Sequence, residues 1–129
     1  MNKKYNFSLI RFTPDLDRGE GFNVGIIVFG NSDIELRWSD SFKPPRGFKG
    51  NWNKENMLKW KEYFTKEFKD YALFHRKVNR ATEEHVSLIS NKITGNYGIG
   101  LTRRHITNDE SISEVADYLF KKLVTKIIQ

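Results

Sequence analysis

The fold of this chain is decided by a stretch at residues 18–29, which reads RGEGFNVGIIVF. From Phe22 onward it is an apolar run of branched and aromatic side chains, as in a strand of a sheet core. Its first half instead crowds Arg18, Glu20 and Asn23 among glycines. Polar residues and glycines are depleted in strands, so this start needs a physical reason.

Two further strands are predicted on either side of it. Residues 5–12, YNFSLIRF, are separated from the strand FNVGIIVF, residues 22–29, by a nine-residue loop, TPDLDRGEG. Residues 34–39, IELRWS, follow the turn GNSD. Antiparallel hairpins with Phe12 opposite Phe22 and Phe29 opposite Ile34 place three apolar rows on one face. The rows are Tyr5, Phe29 and Ile34; then Phe7, Ile27 and Leu36; then Leu9, Gly25 and Trp38.

This register explains the glycine within the strand. Gly25 falls between Leu9 and Trp38, where a side chain would collide with the large indole ring. The next row contains Arg11, Asn23 and Asp40, so the strand starts polar because the apolar face ends there. The opposite face, which includes Val28 and Ile26, is expected to be only half buried.

Helices and one more strand complete the prediction. A helix over residues 54–75 has Asn53 as N-cap and an apolar stripe from Met57 to Tyr71. Residues 82–92 favour a short helix and residues 97–107 a fourth strand. A capping box of Ser111 and Glu114 starts the last helix, whose stripe runs from Ile112 to Ile127. We expect one α+β domain over residues 1–129, with a mainly antiparallel sheet of about four strands and two or three helices packed on one face.

The composition limits the classes of protein to consider. The 129 residues contain no cysteine, which excludes disulfides and thiolate chemistry. No apolar run approaches the roughly eighteen residues of a membrane span, so we expect a cytoplasmic protein. The net charge of +6 permits binding to nucleic acid, anionic lipid or an acidic protein, without choosing among them.

Both ends of the chain resemble a known family. Residues 8–29 resemble the opening of the uncharacterised bacterial family called domain of unknown function 3037, which has an Arg-x-x-Pro-Asp turn, an Arg-Gly-Glu segment and an Asn-Val-Gly strand start. The matching positions are Arg11, Pro14, Asp15, Arg18, Gly19, Glu20, Asn23, Val24 and Gly25. Residues 117–124, DYLFKKLV, are similar to the family's closing helix, whereas residues 40–95 have no counterpart in the resemblance.

The resemblance implies a partner more than an activity. Members are often encoded beside a kinase-like protein resembling the HipA toxin, and some occur in mobile elements. It therefore implies a partner protein in toxin–antitoxin, phage-defence or counter-defence biology. It supplies no catalytic residue to carry over.

Three groups of side chains are candidate sites. The sheet-end polar cluster is either a pocket with Arg11 as an anion clamp or an internal lock in which Arg11 pairs with Glu20; its members are Arg11, Glu20, Asn23 and Asp40. A basic aromatic loop could contact a protein, stack on nucleobases or simply pack on the sheet; its members are Phe42, Lys43, Arg46, Phe48, Lys49 and Trp52. A secondary basic patch contains Arg103 and Arg104.

The leading hypothesis is a non-enzymatic interaction module that docks an acidic partner, such as a HipA-like kinase or an immunity-system component. The alternative is a basic nucleic-acid-binding protein that uses the aromatic loop. A small metal-dependent hydrolase that uses Glu20 and Asp40 is the third hypothesis. The sequence predicts no catalytic residue, cofactor or metal site.

Overall fold

The computed structural model describes residues 3–15, 20–30, 33–40, 53–70, 97–100 and 102–124. In this part of the chain, five strands form one antiparallel sheet that is accompanied by two helices, which confirms the α+β class. The strands are β1 (Lys3–Asp15), β2 (Glu20–Gly30), β3 (Asp33–Trp38), β4 (Tyr97–Ile99) and β5 (Arg103–Thr107). The helices are α1 (Lys54–Phe64), which continues as a π-helix over Thr65–Asp70, and α2 (Ile112–Leu123).

The three N-terminal strands form the predicted pair of hairpins, in the order β3, β2, β1. The prediction of a nine-residue loop between β1 and β2 is wrong, because β1 extends to Asp15 and pairs there with Glu20 at the start of β2. The prediction of a single fourth strand over residues 97–107 is also wrong. Two short strands share the far edge of β1, with β4 beside Phe12 and β5 beside Phe7.

A β-bulge at Val24 changes the predicted register. Phe12 pairs with Phe22 as expected, and Arg11 pairs with Asn23, but Ile10 already pairs with Gly25. Val24 is therefore an extra residue in β2. As a result, each β1 residue from Asn6 to Ile10 occupies the position that was predicted for the residue before it in the sequence. The pairing of β2 with β3 follows the prediction, with Gly25 opposite Trp38 and Phe29 opposite Ile34.

The displacement puts the aromatic side chains of β1 on the other face of the sheet. Tyr5 and Phe7 lie in one buried cluster with the alternate β2 residues Ile26 and Val28. The predicted rows are therefore wrong in their β1 members. The centre of the face that was expected to be half buried is covered, since Ile26 and Val28 are 0% exposed.

The two helices consequently cover opposite faces, and the expectation of one covered face is wrong. The α1 side of the sheet packs its own residues against the first helix and its π-helical extension; the buried members are Ile10, Phe12, Val24, Ile27, Phe29, Ile34, Trp38, Met57, Phe64, Phe68 and Tyr97. The α2 side holds the second cluster, which consists of Tyr5, Phe7, Ile26, Val28, Ile112, Val115, Ala116, Leu119 and Val124. A strand that is apolar at every position from Ile26 to Phe29 can be buried on both sides.

Local signals predicted the helix starts correctly. The side chain of Asn53 accepts a hydrogen bond from the backbone N–H of Asn56 at 3.0 Å and caps α1. The hydroxyl of Ser111 accepts from the N–H of Glu114 at 3.2 Å, which completes the capping box of α2. The predicted continuation of α1 over residues 71–75 and the helix over residues 82–92 lie outside the described residues.

Candidate functional site

The sheet-end polar cluster is divided between the two faces of the sheet. On the α2 face, the Asn23 amide donates a hydrogen bond to the carbonyl oxygen of Leu123, 3.0 Å away. On the α1 face, both carboxylate oxygens of Asp40 contact Lys61 Nζ, at 2.8 and 2.9 Å. In a regular strand Asn23 would lie on the same face as Gly25 and Ile27, the α1 face. The extra residue at Val24 moves the Asn23 side chain to the α2 face. The structure therefore does not bring Asn23 and Asp40 together.

Arg11 lies on the α2 face and is exposed. Its guanidinium covers Gly21, where an added Cβ would lie 2.9 Å from Arg11 Nη2. Glycine at this position therefore leaves space for the arginine to lie flat on the strand. The predicted partner, Glu20, has its backbone in β2, and its side chain lies outside the described part of the chain.

An ion-pair network that sequence reasoning missed fastens α2 to β3. Arg37 donates to Asp117 at 2.8 Å, to Glu35 at 2.6 Å and to the hydroxyl of Ser113 at 3.0 Å. Burial acts to lower the pKa of Arg37, but the hydrogen bonds with Asp117 and Glu35 outweigh it and raise that pKa. The only sequence signal was the alternation of polar and apolar residues at Glu35, Leu36 and Arg37. It indicates a strand with one polar face but does not predict which helix packs on that face.

Stacked aromatic rings fill the α1 side next to Gly25. Tyr97 stacks on Trp38 with ring centroids 6.2 Å apart and on Trp60 at 5.3 Å, and Phe12 lies 5.0 Å from Tyr97. Burial raises the pKa of Tyr97 to about 12. The indole N–H of Trp38 is buried and has no hydrogen-bond partner in the described structure, so the ring is held by packing.

Arg103 and Arg104 belong to a larger surface than the sequence predicted. Both are exposed on β5, whose pairing with β1 sets Lys4 directly opposite Ile106. Ile106 is 56% exposed, the highest value among the large apolar side chains that the structure describes. We call this surface, formed by Lys4, Arg103, Arg104 and Ile106, the basic edge. Only the β1–β5 pairing reveals it, since Lys4 and Ile106 are far apart in sequence.

An aromatic and basic group borders the basic edge on the α2 face. The ring of His105 lies 5.8 Å from that of Tyr118, and Lys122 Nζ lies 5.6 Å from the Tyr118 ring centroid. Tyr118 is 48% exposed. This arrangement offers a half-exposed ring together with a cation, which suits contact with an anionic or aromatic group.

The predicted loop residues cannot be placed in this surface. Phe42, Lys43, Arg46, Phe48, Lys49 and Trp52 lie outside the described residues. Within the described ranges, no group of three or more His, Asp or Glu side chains is arranged to hold a metal ion. No described helix has the length and apolarity needed to cross a membrane.

A family model matches residues 7–124, under the description "Protein of unknown function (DUF3037)". The chain belongs to this family. The match confirms the resemblance seen at both ends and extends over the middle, residues 40–95, which the resemblance left unmatched. Searches of curated proteins and of solved structures found no match. The DUF3037 description assigns no activity, so the function has to be argued from the side chains themselves.

Proposed function

We propose that this DUF3037 protein is a non-enzymatic interaction module that docks an acidic surface of a partner protein. The observation that carries the proposal is the basic edge. Lys4 and Arg104 are exposed beside an exposed Ile106 on the α1 face, and the exposed Arg103 lies on the α2 face of the same edge strand. The ion pairs between described residues involve Arg37, Lys61 and Lys66 instead. Cations that the fold does not use, next to apolar surface, are typical of a docking site.

Two polar groups of the sheet-end cluster, and Arg37 nearby, are used by the fold. Asn23 bonds to the end of α2 and Asp40 to Lys61 on α1. Arg37 is held by Asp117 and Glu35. Each of these contacts fastens a helix or a strand neighbour, which supports docking over the hydrolase hypothesis for Asp40.

The identity of the partner rests on the resemblance alone. A HipA-like kinase or an immunity-system component in toxin–antitoxin or phage-defence biology stays a prediction, as does a cytoplasmic location. The basic aromatic loop stays a second docking element, with Arg46 and Lys49 as its central cations.

Co-purification from the native host tests this function. A tagged chain with Lys4→Glu and Arg104→Glu should lose a protein partner that the unaltered chain retains, because reversed charges repel an acidic surface. Lys54→Glu with Lys59→Glu on α1 is the control, since it makes the same change in net charge elsewhere. Arg46→Glu with Lys49→Glu tests the loop in the same way. Absence of any protein captured by the unaltered chain, or equal capture by all variants, contradicts the proposal.

Nucleic-acid binding is the second candidate, and the Tyr118 group favours it. A half-exposed ring next to Lys122 and His105 resembles the base-stacking platforms of single-strand binders. This function predicts an affinity for a single-stranded oligonucleotide that falls steeply with salt and weakens in Tyr118→Ala. A flat salt titration would count against it.

A further inference from the structure

β5 forms an edge of the sheet with one side of its backbone unpaired in the described structure. It pairs with β1 from Arg103 to Thr107, and no other described strand pairs with it. In an antiparallel strand, alternate residues direct their N–H and C=O groups away from the neighbour. Such an edge is a template for pairing with a further strand.

Cations flank this edge on both faces of the sheet. On the α1 face, Arg104 and Ile106 lie beside Lys4 and Asn6 of β1. On the α2 face, Arg103 shares the side of His105, whose ring contacts Tyr118 next to Lys122. Side chains of an added strand alternate between the two faces, so carboxylates on either face would meet a cation.

We propose that β5 binds an acidic, extended segment of a partner protein, which adds to the sheet as a further strand. This inference rests on the proposed docking function and names its mode. Backbone hydrogen bonds to β5 supply the affinity, and charge and apolar contacts supply the specificity. The segment covers Ile106 with an apolar residue and places Asp or Glu beside the arginines.

The charges around β5 also set the position of the acidic residues. Asp109 and Glu110 follow the Thr107 end of the strand and are exposed. At that end Asp109 and Glu110 oppose the attraction of Lys3 and Lys4 for a carboxylate, whereas Arg103 and Arg104 attract carboxylates at the other end with no acidic neighbour in β5. The segment therefore carries its acidic residues at the Arg103 end and an apolar residue opposite Ile106.

Two other occupants fit this edge less well. A nucleic acid does not extend the backbone ladder and gains nothing from the exposed Ile106. A second copy of the chain carries the same net charge of +6, so the two copies repel one another, and its β5 brings no carboxylates to Arg103 and Arg104. An acidic strand satisfies the backbone, the charges and the apolar side chain together.

Selection of short random peptides displayed on phage, against the purified full chain, tests the inference. We expect enriched peptides to be rich in Asp and Glu with branched apolar residues, and free of proline at their centres. A synthetic peptide from the selection should increase hydrogen-exchange protection in residues 103–107. Enriched peptides without an acidic excess, or protection confined to other residues, would overturn it.

Two pairs of matched variants sharpen the test. Arg104→Glu should weaken peptide binding about tenfold, since it removes one attraction and adds a repulsion. Lys59→Glu on α1 should leave the affinity for the peptide unchanged. Ile106→Lys should also weaken binding although it adds a cation, and Leu58→Lys, which alters another exposed apolar residue, should not. Tighter binding in Ile106→Lys, of the peptide or of a single-stranded oligonucleotide, would show a purely electrostatic surface and sink the strand-addition mode.

The failure of this inference can be separated from failure of the docking function. A host partner that is still captured by the Arg104→Glu and Ile106→Lys variants but is lost by Arg46→Glu with Lys49→Glu leaves the docking function in place and removes β5 from it. An unaltered chain that captures no host protein contradicts the docking function itself.

Discussion

The side-chain amide of Asn23 donates a hydrogen bond to the backbone carbonyl oxygen of Leu123, the last residue of α2, at 3.0 Å. The last carbonyls of a helix have no partner within the helix. The polar start of β2 therefore has a specific role beyond marking the end of the apolar face. It fixes where the C-terminal helix ends against the sheet.

Asn23→Asp should destabilise the fold by about 2 kcal/mol. The substitution removes the donor to Leu123 and places a carboxylate at the negative end of the helix dipole. Asn53→Asp is the matched control, because it puts the same carboxylate at the N-cap of α1, where it is favourable. Urea unfolding of the two variants measures the difference. Equal stabilities would contradict the role given to Asn23.

Gly25→Ala should cost about 2 kcal/mol of unfolding free energy. An added Cβ would lie 2.9 Å from Trp38 Cε3 and 3.0 Å from the carbonyl oxygen of Arg37. Gly98→Ala is the control, since a Cβ there meets nothing within 4 Å. In the Gly25→Ala background, Trp38→Phe should recover part of the lost stability. The smaller ring removes the contact with the added Cβ, whereas the contact with the Arg37 carbonyl oxygen stays. A Gly25→Ala variant as stable as Gly98→Ala would refute the close approach.

Stability should fall as the pH rises above about 10, the ordinary pKa of tyrosine. Burial raises the pKa of Tyr97 to about 12. The unfolded chain ionises first, so the contribution of the neutral phenol is fully present below pH 10 and is lost between about 10 and 12. Tyr97→Phe should reduce this alkaline loss, as measured by urea midpoints across that range. Burial and the nearby Glu67 also raise the pKa of Tyr63. Tyr63 is less buried than Tyr97, so Tyr63→Phe should reduce the alkaline loss of stability less than Tyr97→Phe does.

Arg37→Met should destabilise more than Asp117→Asn. Asp117 is 67% exposed, so its single bond to Arg37 contributes no more than about 1 kcal/mol. Loss of Arg37 instead removes the contacts to Glu35, Ser113 and Asp117 together. A double-mutant cycle between Arg37 and Asp117 measures the coupling, with the exposed Glu62–Lys66 pair as the weak reference. An Arg37→Met variant that is as stable as Asp117→Asn would contradict the fastening role.

The basic edge shows how little of the candidate site could be predicted from sequence. Arg103 and Arg104 were visible as a pair of neighbouring cations, but Lys4 and Ile106 are separated by most of the chain. Their proximity depends on β5 pairing with β1, which no short-range pattern encodes. The same limit applies to Arg37, because its partners on α2 are 76 and 80 residues away.

The sequence by itself determined the features that neighbouring residues encode. The Phe12–Phe22 and Phe29–Ile34 hairpins, the Gly25–Trp38 contact and the caps at Asn53 and Ser111 all follow from short-range turns, periodicity and side-chain size. The tertiary structure alone decided the bulge at Val24 and, with it, which face each β1 side chain occupies. An apolar strand is compatible with either register, and the choice depends on the two helices that bury it from opposite sides.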